Sequence, residues 1–222
     1  MIISKESGLR QVEELLHLHK ELQLESVFES RILLKGRILI NRNALGFKLY
    51  KSYYMEIIIP LESEKTPYVI DLGGHIENNY PHKYSDGKLC LETDTQIRVR
   101  FLDGFSLIEW IEEYVEPYYF SYEYYQRYGR YPFGERSHGA VGLIETYSEF
   151  FKEKDLMKTV LLMKAIVASN YRGHALCPCG SGKKYRQCHG ECTKKFYFDN
   201  RLNSMVKSDY YLLMEEVRRY SE

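Results

Sequence analysis

The sequence has no excess of charge of either sign. Its 222 residues include 31 lysines and arginines and 31 aspartates and glutamates, so the formal net charge is zero. Dedicated nucleic-acid-binding proteins normally carry a clear basic excess, and we therefore expect no nucleic-acid partner. Aromatic residues, in contrast, are plentiful. The 21 tyrosines argue against intrinsic disorder, because disordered chains contain few aromatics.

Long apolar segments are also missing. No stretch approaches the roughly 20 apolar residues that a membrane-spanning helix needs. The segment Met1–Glu6 lacks the apolar core of a signal peptide. We therefore expect a cytoplasmic protein with no membrane association.

Cysteine is scarce and unevenly distributed. Four of the five cysteines lie within Cys177–Cys192, and the remaining one is Cys90. A disulfide framework would spread its cysteines through a small secreted domain, so we expect reduced thiols. The length suits one domain of common size with a smaller appendage.

Hydrophobic periodicity in the first 72 residues predicts a helix followed by a sheet. Residues 7–25 have leucines and a valine on one face, which indicates an amphipathic helix. Residues 31–41, 52–59 and 67–72 are rich in apolar and β-branched side chains and predict three strands. Because the loops between them are short, we expect an antiparallel meander.

The rest of the chain predicts mainly helices. Residues 96–102 suggest a short extended piece, and Ser106 with Glu109 has the form of a capping box. The helix that follows is expected to end or kink at Pro117. Further helices are predicted for 143–169 and 205–219.

Eight tyrosines lie between Tyr114 and Tyr131. They either form a peptide-docking surface or pack this helix against the sheet, and we favour packing, with the hydroxyls reaching water. The glycine-bracketed loop that follows contains Glu135 and His138. Such a loop either folds over a site or is a solvated connection.

Cys90 follows the tight-turn signal Asp86-Gly87, and Pro81-His82 comes eight to nine residues before it. A lone thiol beyond a turn, with a histidine nearby in sequence, is a candidate nucleophile. The alternative is a small buried hydrophobic side chain.

Cys177, Cys179, Cys188 and His189 supply four metal ligands, two from each end of a short glycine-containing loop. Structural zinc requires a closed tetrahedral set of such sulfur and nitrogen donors, so we predict one structural zinc ion. The segment resembles the SEC-C motif, a zinc knuckle found on SecA and many other bacterial proteins. In that family its known role is partner recruitment. Cys192 is left over.

The order of helix, strand meander, irregular stretch with a cysteine, and further helices resembles the ubiquitin-conjugating enzyme (E2) fold. The specific part is local: Tyr80-Pro81-His82 and Gly87-Lys88-Leu89-Cys90-Leu91 follow the family's His-Pro-Asn triplet and Gly-x-Ile-Cys-Leu segment at the family's spacing. Tyr80 replaces the family's histidine, and His82 replaces its asparagine. Beyond residue 100 the chain looks more like bacterial E2-like proteins from ubiquitin-like conjugation operons and anti-phage nucleotide-signalling (CBASS) systems.

The resemblance implies an α+β fold with an E2-like antiparallel sheet flanked by helices, plus a C-terminal zinc knuckle and helix. It implies that Cys90 accepts an activated C-terminal carboxyl as a thioester and passes it to an amine. His82 or a nearby backbone N–H would support the oxyanion. The candidates to orient the amine or take its proton are His138, Glu135, Glu92 and Asp94.

We therefore divide the chain into an E2-like domain (1–150), a connecting helix (151–172), the zinc motif (173–192) and a helical tail (193–222). The implied partners are an E1-like activating enzyme, a ubiquitin-like or cGAS-like nucleotidyltransferase protein as donor, and a protein amine as acceptor. Two alternatives stay open: a non-catalytic E2 variant acting as an adaptor, and a cysteine hydrolase using Cys90 and His138.

Overall fold

The structure is a computed structural model that describes residues 1–219. The chain divides into two compact units, residues 1–135 and residues 136–222. Each unit is described separately. Among residues 1–219, no helix is long and apolar enough to cross a membrane.

The first unit begins with a helix and a four-stranded antiparallel sheet. Helix α1 (Lys5–Leu18) is followed by strands β1 (Leu22–Val27), β2 (Arg31–Ala44), β3 (Phe47–Pro60) and β4 (Tyr68–Asp71), which pair in chain order. The expectation of an α+β fold with an antiparallel meander is therefore confirmed. The three predicted strands are present, and β2 and β3 are longer than predicted.

The predicted helix over 7–25 is wrong at its C-terminal end, where the chain forms β1. Leu22 pairs with Gly36 of β2, and the Arg37 amide donates to the Glu21 carbonyl at 3.0 Å. Gly36 has φ +151°, and a Cβ at this position would lie 2.1 Å from the Glu21 oxygen. The missing side chain of Gly36 lets β1 approach β2 closely, and this tertiary pairing overrides the local helical pattern.

Alternation along β2 directs one face of the sheet into the core. Ile32, Leu34, Ile38 and Ile40 are all fully buried, as expected for side chains that point alternately to opposite faces of a strand. Leu15 of α1 is also fully buried and belongs to the same core.

Residues 72–93, which follow β4, form no helix, and the rest of the first unit is mainly helical. Helix α2 (Asp94–Arg100) contradicts the extended piece predicted for 96–102: the Thr93 hydroxyl accepts from the Gln96 amide at 3.2 Å and caps the helix. Helix α3 (Leu107–Trp110) is capped as predicted, with the Ser106 hydroxyl accepting from the Glu109 amide at 3.3 Å.

The helix that was expected to end or kink at Pro117 does not end there. The helix continues through a π-helical turn (Ile111–Val115) into α4 (Glu116–Tyr128). Pro117 lies in the first turn of α4, next to the widened turn, where the missing N–H of proline is tolerated.

The tyrosines of α4 pack into the core, which confirms the packing hypothesis. The expectation that their hydroxyls reach water is wrong for two of them, since the Tyr119 hydroxyl is buried and the Tyr118 hydroxyl donates to the His82 carbonyl at 2.9 Å. Tyr118, Tyr119, Tyr122 and Tyr124 are buried. The ring of Tyr119 lies 4.1 Å from that of Tyr53 on β3, measured between centroids. Helix α4 therefore covers the sheet with aromatic side chains.

The second unit contains α5 (Gly139–Phe151), α6 (Leu156–Ala168), α7 (Gly190–Phe198) and α8 (Asn200–Arg219). The single helix predicted for 143–169 is wrong, since Lys152 adopts a left-handed conformation (φ +55°) and Asp155 caps a new helix. The helix predicted for 205–219 is confirmed and starts earlier. Residues 220–222 of the predicted tail lie outside the described residues.

Two sets of side chains form the core of the second unit. Aromatic rings come from α5 and α7, and aliphatic side chains come from α6 and α8. The fully buried members include Tyr147, Phe151, Leu162, Met163, Phe196 and Val206. The predicted E2-like domain, 1–150, ends inside α5, whereas the compact units divide between Glu135 and Arg136.

Candidate thiol site and metal site

A tight turn positions the segment that contains Cys90. The Tyr84 amide donates to the Lys88 carbonyl at 2.9 Å, and the Gly87 amide donates to the Tyr84 carbonyl at 2.9 Å. Gly87 has φ +86°, which is the left-handed conformation that glycine adopts without strain. The turn predicted from Asp86-Gly87 is therefore confirmed.

Backbone hydrogen bonds connect this turn to the sheet and fix the Cys90 main chain. The Leu89 amide donates to the Val69 carbonyl of β4 at 2.9 Å. The Cys90 amide donates to the His82 carbonyl at 2.8 Å, and the same carbonyl accepts from the Tyr118 hydroxyl at 2.9 Å. The half-buried thiol of Cys90 is thus held at the end of a rigid turn.

The thiol has a phenolic neighbour. The Tyr84 hydroxyl lies 3.4 Å from Sγ of Cys90, within hydrogen-bonding range for sulfur. Burial raises the pKa of the Cys90 thiol, the Tyr84 hydrogen bond opposes this shift, and the charge of Glu92 adds to it. Burial also raises the pKa of Tyr84, so its hydroxyl keeps its proton and acts as a donor. At neutral pH Cys90 is therefore mostly a thiol.

His82 contributes its side chain as well as its carbonyl. A ring nitrogen of His82 lies within 4.8 Å of the Cys90 sulfur. Nε2 of His82 lies 3.4 Å from Oε1 of Glu135, and the ring contacts Tyr80 and Tyr131 edge-on. Of the predicted catalytic residues, the structure therefore brings together Cys90, His82 and Glu135.

Lys83 and Asp94 are held by other oxygen atoms of the first unit. Lys83 donates from Nζ to the Ile76 carbonyl and to Asn78 Oδ1, each at 2.9 Å, so its ammonium group is held by these oxygens. Asp94 begins α2 and accepts from the Thr66 hydroxyl at 2.5 Å. His138 belongs to the second unit, where it is the exposed N-cap residue of α5. Its predicted catalytic role stays a prediction.

Two residues of the thiol site were missed by sequence reasoning. Tyr84 is separated from Cys90 by the turn, and the turn chemistry of Asp86-Gly87 was the available signal that the two sides would meet. Tyr118 lies in α4, and nothing in the local sequence indicates its bond to the His82 carbonyl.

The predicted metal ligands come together in the second unit. One ligand atom each from Cys177, Cys179, Cys188 and His189 lies within 4.8 Å of the others. Sγ of Cys179 and Sγ of Cys188 are 3.7 Å apart. Nδ1 of His189 lies 3.4 Å from Sγ of Cys177 and 3.3 Å from Sγ of Cys188.

These separations fit a tetrahedral metal. Zinc with bonds of about 2.3 Å to sulfur and about 2.0 Å to nitrogen places its sulfurs about 3.8 Å apart and each sulfur about 3.5 Å from the nitrogen. Three sulfurs and one imidazole are also the donor set of structural zinc sites. The four residues therefore fit a metal-binding site.

Glycines and backbone bonds shape this knuckle. Gly180 (φ +77°) and Gly182 (φ +73°) have left-handed conformations, which allow the chain to reverse between the two ligand pairs. The Cys177 amide donates to the Lys183 carbonyl at 2.8 Å, and this bond closes the reversal. His189 is the N-cap residue of α7, so the second ligand pair lies directly at the start of a helix. Cys192 lies in α7 and is half-buried.

Residues 175–191 match the SEC-C motif family. The match includes all four predicted metal ligands and confirms that this C-terminal segment resembles the SEC-C motif. The chain therefore carries a SEC-C motif. The comparison with curated proteins finds no significant match, and the comparison with solved structures finds none either.

Proposed function

We propose that the protein is an E2-like conjugating enzyme whose nucleophile is Cys90. The observation that carries the proposal is the arrangement around this thiol: a half-buried cysteine at the end of a rigid turn, with the Tyr84 hydroxyl at 3.4 Å and a His82 ring nitrogen within 4.8 Å. A helix and an antiparallel meander precede the turn, and helices follow it. This order is the one that the resemblance implies.

The first step of the proposed reaction loads Cys90. Its thiolate attacks the carbonyl carbon of an activated C-terminal carboxyl, delivered as a thioester by an E1-like activating enzyme. A new carbon–sulfur bond forms, and the bond to the carrier's sulfur breaks and releases that sulfur as a thiolate. The raised pKa of the free thiol is compatible with this exchange, because the arriving thioester is itself reactive and the attacking thiol need not be strongly activated.

The second step discharges the acyl group. A protein amine attacks the thioester carbon and loses a proton, the carbon–nitrogen bond forms, and the Cys90 thiolate leaves and is reprotonated. The His82 imidazole is a candidate donor to the oxyanion. The Tyr84 hydroxyl is a candidate donor to the departing sulfur. Glu135, which lies 3.4 Å from His82 Nε2, orients that ring.

The donor protein is proposed to be ubiquitin-like or cGAS-like, and the setting bacterial anti-phage defence in the cytoplasm. The SEC-C motif is proposed to hold one zinc ion through Cys177, Cys179, Cys188 and His189. Bound zinc would cross-link the two ends of the knuckle, and the knuckle would recruit a partner or stabilise the second unit.

One observation favours a second candidate, the non-catalytic adaptor. Burial raises the pKa of Cys90, and a buried protonated thiol is also what a structural cysteine shows. In that case the first unit binds a partner without acyl transfer.

A loading assay separates the candidates. The protein is incubated with ATP and the products of neighbouring genes, and adducts are resolved on a non-reducing gel. We expect a thiol-sensitive adduct that is lost in Cys90→Ala and kept in the control Cys192→Ala. Cys90→Ser is expected to give an adduct that resists thiols and is cleaved by hydroxide, since an ester replaces the thioester.

Two other outcomes would contradict the conjugating enzyme. Partner binding with no adduct under any pairing supports the adaptor. Peptide or isopeptide cleavage that needs no ATP and depends on Cys90 and His138 supports a hydrolase.

A further inference from the structure

A carboxylate from outside the SEC-C motif contacts one of its metal ligands. Glu153 lies between α5 and α6, and its Oε2 is 3.3 Å from Nε2 of His189. Both side chains are largely buried, with exposed fractions of 14% for Glu153 and 13% for His189. The matched motif covers residues 175–191, so the motif itself does not supply this contact.

The turn between α5 and α6 holds Glu153 in place. The Glu153 amide donates to the Ser148 carbonyl at 3.0 Å, and the Ser148 hydroxyl donates to the Glu153 carbonyl at 2.5 Å. Oε1 of Glu153 accepts from the Asp155 amide at 3.0 Å. One carboxylate oxygen is thus fixed by the turn, and the other is directed at His189.

The opposite side of the same imidazole faces the cysteines. Nδ1 of His189 lies 3.4 Å from Sγ of Cys177 and 3.3 Å from Sγ of Cys188. A neutral imidazole that donates from Nε2 to a carboxylate presents its lone pair at Nδ1. Carboxylates that accept from the far nitrogen of a ligand histidine fix its ring and increase its basicity.

We propose that Glu153 is a positioning residue for the metal site. It fixes the ring of His189 with Nδ1 toward the metal, and it links metal binding to the turn between α5 and α6. The motif is thereby attached to the helices of its unit through a ligand, rather than only through its flanking chain.

The test measures metal affinity in the full chain. Zinc affinity is determined by competition with a chromophoric chelator for the unmodified protein, Glu153→Ala, Glu153→Gln and the control Glu191→Gln. The control removes the same charge from an exposed residue two positions after His189. Cobalt is then bound at saturation, and its absorption spectrum reports the ligand set.

We expect Glu153→Ala to weaken zinc binding by about 10- to 100-fold. Glu153→Gln keeps a neutral acceptor, and its zinc affinity is expected to fall less than that of Glu153→Ala. Glu191→Gln is expected to match the unmodified protein. The cobalt spectrum of every variant should still indicate three sulfur ligands and one nitrogen ligand, since no ligand has been removed.

Unchanged affinity in Glu153→Ala, or an equal loss in Glu191→Gln, would overturn the proposal. If Glu153→Ala does not fold, the test uses Glu153→Gln. A lower zinc affinity of this variant with an unchanged cobalt spectrum supports a positioning role. A zinc affinity equal to that of the unmodified protein refutes it.

Discussion

The phenolic oxygen of Tyr84 lies 3.4 Å from the sulfur of Cys90. The two residues stand on either side of the turn at Asp86-Gly87, and the amide of Cys90 is bonded to the carbonyl of His82 at 2.8 Å. The distance is therefore set by the backbone of one short segment. A donor held this way stabilises negative charge on the Cys90 sulfur.

The first prediction concerns Tyr84→Phe. The hydrogen bond from Tyr84 lowers the pKa of Cys90 against the larger effect of burial. Its removal should raise the thiol pKa further and reduce the thiolate fraction at neutral pH. Iodoacetamide alkylation rates between pH 6 and about pH 10.5 measure this shift, in the range where thiols titrate. Exposed Tyr50 supplies the control Tyr50→Phe, and an unchanged or lower thiol pKa in Tyr84→Phe would count against the hydrogen bond.

His82 is tested by two substitutions. His82→Ala removes the ring that lies within 4.8 Å of the sulfur and should slow discharge of a preformed thioester by on the order of 10²-fold. His82→Asn keeps an N–H donor and should retain transfer. Single-turnover discharge to an amine measures both rates. Normal discharge in His82→Ala would exclude a role for this side chain in supporting the oxyanion.

A buried hydrogen bond joins α5 to α8 in the second unit. The Tyr147 hydroxyl lies 2.7 Å from Oδ2 of Asp209, and both residues are buried. Tyr147→Phe leaves the carboxylate without this donor and should lower the free energy of unfolding by about 1–3 kcal/mol. Tyr211→Phe, at an exposed position of the same helix as Asp209, should change it little. Chemical denaturation compares the two, and equal stabilities would refute the prediction.

Gly36 is predicted to resist substitution. Its φ of +151° is strained for an L side chain, and a Cβ would lie 2.1 Å from the Glu21 carbonyl oxygen. Gly36→Ala should destabilise the sheet by on the order of 2–3 kcal/mol, seen as a lower unfolding temperature. Gly104→Ala, where a Cβ meets nothing within 4 Å, is the control. Similar unfolding temperatures for both variants would show that β1 does not depend on this close approach.

Metal removal should destabilise the second unit. The four ligands hold the chain reversal between Cys177 and His189, and metal binding at such a site adds to folding stability. We expect one zinc equivalent per chain and a lower unfolding temperature after chelation. Cys177→Ser should lose the metal, whereas Cys192→Ser should keep it. Elemental analysis of the purified proteins measures their zinc content per chain. An unmodified protein that contains no metal would contradict the prediction.

Prediction from sequence succeeded where the signal was local. The turn at Asp86-Gly87, the Ser106 cap and the ligand spacing of the SEC-C motif each depend on a few neighbouring residues. It failed where distant residues decide the structure. Residues 22–25 continue a helical pattern but pair with β2. The break between α5 and α6 was missed although its signals are local: Lys152 is left-handed, and Asp155 caps α6.

The sequence by itself determined the α+β class, the strand meander, the SEC-C motif and the choice of Cys90 as the thiol of interest, because these follow from periodicity, turn chemistry and spacing within short segments. Only the tertiary structure decided which side chains surround the two sites. Tyr84 contacts Cys90 across a turn, and Glu135 contacts His82. Glu153, in the turn between α5 and α6, contacts His189 at the start of α7. The last two contacts depend on how distant segments pack, and burial in the folded chain raises the pKa of the Cys90 thiol.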